Sequence, residues 1–521
     1  MFITKTTMRL DQRPAISTNS ITTLLIFLSI TATTVNCRRH VSDGSDVTYA
    51  AINCRKHTAF LTDFGGVGDG KTSNTAVFRS AIQNLSQFEN DGGSQLIVPP
   101  GKWLTGSFNL TSHFTLFIQF GAVVLASQDE GEYPLIEPLP SYGAGRDGPG
   151  GRFGSLIGGS HLTDVVITGD NGTIDGQGSI WWDKFHQKKL KNTRPYLIEP
   201  MYSNQIQISN LTLVNSPSWF VHPVYSSDII IQDLTILAPV DSPNTDGIDP
   251  DSCKNVKIQD VFIVSGDDCI AVKSGWDEYG IKFGMPTEQA IIRRLTCISP
   301  DSAVIALGSE MSGGIKNIRA EDITAINSES GVRIKTGPGR GAYVTDIFVD
   351  KMTLHTMKYV FWTTGAYGQH PDPGYDPKAL PKIDRINYRN VVADDVQMAG
   401  NMGGIEGDPF TGFCLSNVTI GLSDKPKKVQ WNCTDVSGVS SNVTPEPCDA
   451  LVDKGSIECE YPSDPVPIDT VQMQTCSFST QKDGFRLHAR KLSLLDAVLD
   501  YDDAGANPRH DPRKGRGGRN P

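Results

Sequence analysis

Nine short phrases of one design recur along this 521-residue chain and constrain its fold more than any other feature. They read DVVITG, QIQISNLTL, DIIIQDLTI, NVKIQDVFI, AIIRRLTC, NIRAEDITA, DIFVDKMTL, RINYRNVVA and FCLSNVTI, starting at Asp164, Gln205, Asp228, Asn255, Ala290, Asn317, Asp346, Arg385 and Phe413. Each alternates apolar and polar side chains, turns (at Asn or Asp in all but AIIRRLTC), and continues as a second short strand. Intervals of 23 to 41 residues match the coils of a solenoid with loops inserted at its turns. A propeller or sandwich would place tight hairpin turns between neighbouring strands, and none separates these phrases. The expected fold is all-β, a right-handed parallel β-helix. A content of 51 glycines with only 20% charged residues suits such a turn-rich chain.

Ahead of the phrases, Ala59 to Leu85 reads as a strand, a glycine turn and an amphipathic helix with Ser73 or Asn74 as N-cap. This N-terminal helix is expected to cap the open end of the β-stack, where a bare strand edge would invite aggregation. Gly65 to Thr72 also satisfies G-x-x-x-x-G-K-T, the phosphate-loop pattern, between a strand and a helix. The alternating strand and helix units of a nucleotide-binding sheet do not follow it, which leaves a nucleotide hydrolase as a distant rival.

Residues 1–37 are read as a signal peptide or signal anchor: the apolar run Ile21 to Val35 follows Lys5, Arg9 and Arg13 and is short for a membrane span. Residues 51–476 form the β-helix, and 477–521 a basic tail expected to be disordered. Ten cysteines and seven glycosylation sequons (Asn84, Asn109, Asn171, Asn210, Asn417, Asn432, Asn442) fit a secreted, extracellular or cell-wall protein. Expected disulfides are Cys253–Cys269, Cys433–Cys448 and Cys459–Cys476. The absence of any C-x-x-C spacing argues against structural zinc, and a net charge of -11 against nucleic acid. A monomer is expected, with no stable membrane partner unless the leader is uncleaved.

The chemistry concentrates between Pro243 and Asp268, in PNTDGIDPDSCKNVKIQDVFIVSGDD. Asp246 precedes the Asp267-Asp268 pair by about one coil, so in stacked strands ~4.8 Å apart the three carboxyls come together. Like charges that close cannot all ionise freely; one keeps its proton as an acid while a neighbour serves as a base, the division that glycoside hydrolysis needs. Taken alone, DGIDPD and SGDD also read as solvated turns. Arg333 and Lys335 of VRIK lie two apart on one strand face and offer two cations to an anionic substrate. Trp276, Tyr279, Trp362 and Tyr367 are candidates for sugar stacking, and His222 is read as structural.

NTDGID from Asn244, SGDD from Ser265 and RIK from Arg333 together resemble the polygalacturonases of glycoside hydrolase family 28, over roughly 51–476. LTDFGGVGDGKTSNT, NGTIDGQGSIWW and SGWDEYG are similar to its plant branch. The resemblance implies a right-handed parallel β-helix that hydrolyses α-1,4-linked galacturonate in pectin with inversion and without cofactor or metal. It assigns Asp267 as the general acid, Asp246 and Asp268 as the carboxylates that activate water, and Arg333, Lys335 and Asn244 to substrate binding. Inversion sets an expected carboxyl separation of roughly 6.5–9.5 Å. The family's Gly-His-Gly motif is missing; GSEMSGG (Gly308 to Gly314) stands at its expected place, with Glu310 as the nearby polar residue. That departure leaves endo or exo action open. A calcium-dependent pectate lyase and a non-catalytic wall-binding protein are the rival readings.

Overall fold

The computed structural model describes residues 55–148 and 150–471. The leader and the basic tail expected at the two ends therefore lie outside the described residues. The rest is a right-handed parallel β-helix, built on one 20-stranded sheet whose strands pair in parallel. Coil stacks on coil in strict register: Leu96, Leu116, Ile167, Ile208, Ile231, Ile258, Ile292, Ala320, Val349, Tyr388 and Leu415 form one column of successive partners. All are buried, so the inward positions of the period-2 pattern make a continuous apolar core.

The phrases repeat because each coil bends twice through the left-handed region. Asp164, Gln205, Asp228, Asn255, Gln289, Asn317, Asp346 and Arg385 have φ between 53° and 60°. A second column, Asn210, Asp233, Asp260, Arg294, Asp322, Lys351, Asn390 and Asn417, has φ between 48° and 56°. Asn and Asp tolerate that conformation best among residues with a side chain, which explains their recurrence.

The capping helix is Thr75–Leu85; Phe78, Ala81, Ile82 and Leu85 are buried, and Phe78 stacks on Phe108 at 4.5 Å. Asn74 is its N-cap by position, but its side chain bonds Val67, Thr72 and Leu104 instead of the helix. Within the glycine turn, Asp69 accepts from the backbone N–H of Lys71 and Thr72, both at 2.8 Å. A carboxylate thus takes donors that a phosphate loop would offer its nucleotide.

Two disulfide expectations are corrected. Cys269 pairs with Cys297, not Cys253, because Cys297 lies on the next coil as partner of Ile263, whereas the Cys253 thiol is buried against the carbonyls of Pro223 and Asp251. Cys459 pairs with Cys414, and Cys433–Cys448 forms as expected. The Cys414 bond anchors a segment that runs back along the outer face. Glu458 meets Arg389, Tyr461 meets Glu321, Asp469 meets Arg293 at 2.7 Å, and the Ile468 N–H donates to Asn255. Val466 and Ile468 cover Ile230 and Ile291, the outward apolar residues that break the alternation of their strands. Among the described residues no helix is long and apolar enough to cross a membrane.

Candidate active site

On another outer face the three acidic residues converge. One carboxylate oxygen from each of Asp246, Asp267 and Asp268 lies within 4.8 Å of the others, and all three side chains are buried. Asp246 and the Asp pair come from successive turns: the Gly247 N–H donates to the Asp268 carbonyl at 3.0 Å, and Ile248 bridges to Ile270. The three carboxyls meet because the residues sit on adjoining rungs of one stack.

The acids differ in their surroundings. Asp268 is held most firmly, ion-paired with Lys335, accepting from Ser302 Oγ at 2.6 Å and from the Ala303 N–H at 3.1 Å. Asp267 accepts from Ser302 at 3.0 Å, from its neighbour's N–H at 2.9 Å and from Asn244 Nδ2 at 3.3 Å. Asp246 meets Lys273 at 3.5 Å through Oδ2, while Oδ1 is buried without a hydrogen-bond partner. Burial, then the charge of Asp267, raises the Asp246 pKa to about 7 despite Lys273. Asp249, fully buried with neither oxygen hydrogen-bonded, is pushed well above the carboxylate range by burial and then by Asp246. It is a fourth carboxyl that the coil spacing did not single out. Lys335 is raised: burial opposes its charge most strongly, but Asp268, Tyr367 and Asp267 together outweigh it.

A small cavity opens onto these acids, lined also by Arg146, Trp219, Lys273, Ser309, Glu310, Tyr367 and Gln369. Of the expected binding residues, Asn244 and Lys335 line it and Arg333 does not. Arg333 shares the outward face of the strand Ile315–Lys335 but lies over the Trp362 ring at 3.7 Å and pairs with Glu329 at 3.0 Å. Glu310 is buried, not exposed, and bridges Arg146 and Lys273. Ser302 and the Ala303 N–H touch the acid pair, and Ser309 and Glu310 of GSEMSGG line the same cavity. His222 is buried between Glu199 at 2.9 Å and Asp251 at 3.4 Å, away from the cavity lining. Burial opposes its charge, yet these two acids raise its pKa.

Tyr367 alone of the four aromatic candidates lines this cavity. Trp276 donates to the Gln369 carbonyl at 3.3 Å and Tyr279 to Asp372 at 2.9 Å, so both tie loops together. Sequence reasoning missed Lys273 and Arg146. Lys273 interrupts the apolar run CIAV and was detectable on that ground; Arg146 sits in a glycine-rich loop where no periodicity marks it.

Residues 94–444 match the family model described as glycosyl hydrolases family 28. The chain belongs to this family. It is 66% identical to a protein of Vitis vinifera described as a probable polygalacturonase, over 82% of this chain and 88% of that one. The family 28 fold recurs in a hyperthermoactive exopolygalacturonase from Thermotoga maritima, with TM-score 0.62 and 26% identity over 71% of this chain and 88% of the other. It recurs again in a polygalacturonase from Erwinia carotovora, with TM-score 0.60 and 22% identity, covering 76% of this chain and 99% of that one. This family 28 chain is accordingly a glycosyl hydrolase.

Proposed function

We propose that this glycosidase hydrolyses α-1,4-galacturonosyl bonds of polygalacturonate in the plant cell wall, with Asp267 as general acid and Asp246 and Asp268 activating water. The observation that carries the reading is the buried triad itself, three carboxylates in one cavity with cations at two of them. Lys335 beside Asp268 favours its ionised form, as a water-activating group requires. Asp246 Oδ1, free of hydrogen bonds, is placed to take a proton from water, and its raised pKa matches a base working near neutrality. Asp267, hydrogen-bonded by Asn244, is the carboxyl left to protonate the leaving oxygen.

Three cations line the cavity, Arg146, Lys273 and Lys335, and they suit an anionic uronate. Lys335 also engages an oxygen that calcium would need in an eliminating lyase, which favours hydrolysis. Inversion is part of the proposal, and the anomer first formed decides it by NMR. Secretion to the wall is supported by the disulfides.

The experiment is reducing-end release from polygalacturonate with chelator present, comparing the protein with Asp267→Asn. Release that persists with chelator and is lost in the variant is expected. Polymer bound by both proteins without release would replace hydrolysis with the wall-binding reading.

A further inference from the structure

Arg146 comes to the cavity from outside the coils that carry the acids, on the loop between the strands Leu135–Ile136 and Arg152–Phe153. Its placement is over-determined. Its N–H donates to Thr193 Oγ1 at 2.7 Å, and the next residue, Asp147, pairs with buried Arg194 at 2.9 Å. Gly143, at φ +67°, lets the loop pass the Tyr279 ring, which a Cβ there would meet at 2.2 Å. The guanidinium is flanked by two indoles, 5.4 Å from the Trp219 centroid and 5.0 Å from that of Trp276.

The three cations lining the cavity are not equivalent. Lys335 is committed to Asp268, and Lys273 lies between Asp246 and Glu310; their side chains are only 3% and 4% exposed. Arg146 is 19% exposed and spends one nitrogen, Nη1, on Glu310. Among the described residues its Nε and Nη2 make no hydrogen bond, so one edge of a rigid fork remains for a planar anion. Arg333, the arginine that the sequence singled out, is covered by Trp362 and Glu329.

Resting on the hydrolase reading above, we propose that Arg146 is the specificity-determining residue that grips the carboxylate of the uronate seated in the catalytic cavity. The indoles and Glu310 hold the guanidinium in place before substrate arrives, which lowers the ordering cost of binding. The uronate carboxylate does not react, so the contact is the same in ground and transition states and governs KM more than kcat.

The test is steady-state kinetics on polygalacturonate with the full protein, Arg146→Gln and Arg146→Lys. Arg146→Gln is expected to raise KM by about 10- to 100-fold, the range for losing a charge-assisted hydrogen bond, with kcat little changed. Arg146→Lys keeps the charge, loses the fork and is expected to fall between the two. A lower kcat at unchanged KM would overturn the assignment and make Arg146 a positioning residue for Glu310 and Lys273. Equal KM in all three proteins would also overturn it while leaving the hydrolase reading intact. No turnover by the unaltered protein would remove both.

Discussion

Two outer faces of the same solenoid carry dense charge and use it differently. Where the segment from Glu458 to Val471 crosses the coils, charges meet in open or half-open pairs, Arg389 with Glu458, Arg385 with Glu460, Arg293 with Asp469. Beneath them the apolar contact of Val466 and Ile468 with Ile230 and Ile291 supplies the adhesion. At the cavity the charges are buried, like-signed groups adjoin, and Asp246 and Asp249 keep oxygens with no partner. Opposite charges paired across a partly exposed seam mark a face that holds the molecule together. Frustrated burial marks a face that does chemistry at some expense of stability.

The largest effect that would break this contrast is in catalysis. Asp267→Asn should reduce turnover by about 10²- to 10⁴-fold with little change in thermal midpoint, measured by initial rates and calorimetry. Asp246→Asn should do the opposite to stability while also removing turnover. The native Asp246 carboxyl, with pKa about 7 against an ordinary 3.8, holds its proton more tightly than the unfolded chain does. Stability therefore falls as pH rises between those values, and Asn should stabilise by an amount growing from about pH 4 to about pH 7, reaching on the order of 4 kcal/mol. Denaturation at pH 4 and pH 8 checks it; a pH-independent gain would contradict the assignment.

On the other face Ile468→Ala should cost about 2–3 kcal/mol and leave kcat/KM unchanged, because the side chain is wholly buried in an apolar cluster with Ile230, Ile291 and Val466 that includes none of the acids. Arg293→Ala, which loses Asp469 and Glu321 at a partly exposed site, should cost about 1 kcal/mol or less. A larger loss there than at Ile468 would mean that the ion pairs, not the apolar contact, hold the segment.

The fold was legible because it is periodic: inward apolar residues recur in every coil and left-handed Asn or Asp in most, and the phrases begin on the bends themselves at Asp164, Asp228, Asn255, Asn317 and Asp346. The acids were legible for the same reason, since one coil separates Asp246 from Asp267. What lay outside the period was not. Arg146 and Gln369 arrive on loops, and Cys414 finds Cys459 through a segment that doubles back across several coils. Ile230 looked like one more strand residue until its cover, Val466 and Ile468, was in view. Arg333 and Lys335 share a face as alternation requires, but alternation does not say that Trp362 from the next coil lies under one of them.

The most direct test of the central claim, that the buried triad adds water across a glycosidic bond, is product analysis after reaction in heavy-oxygen water with chelator present. The account predicts one solvent oxygen at each new reducing end, no unsaturated ends, and loss of labelled product in Asp267→Asn. Unsaturated ends without label, or labelled product formed at the normal rate by Asp267→Asn, would contradict it.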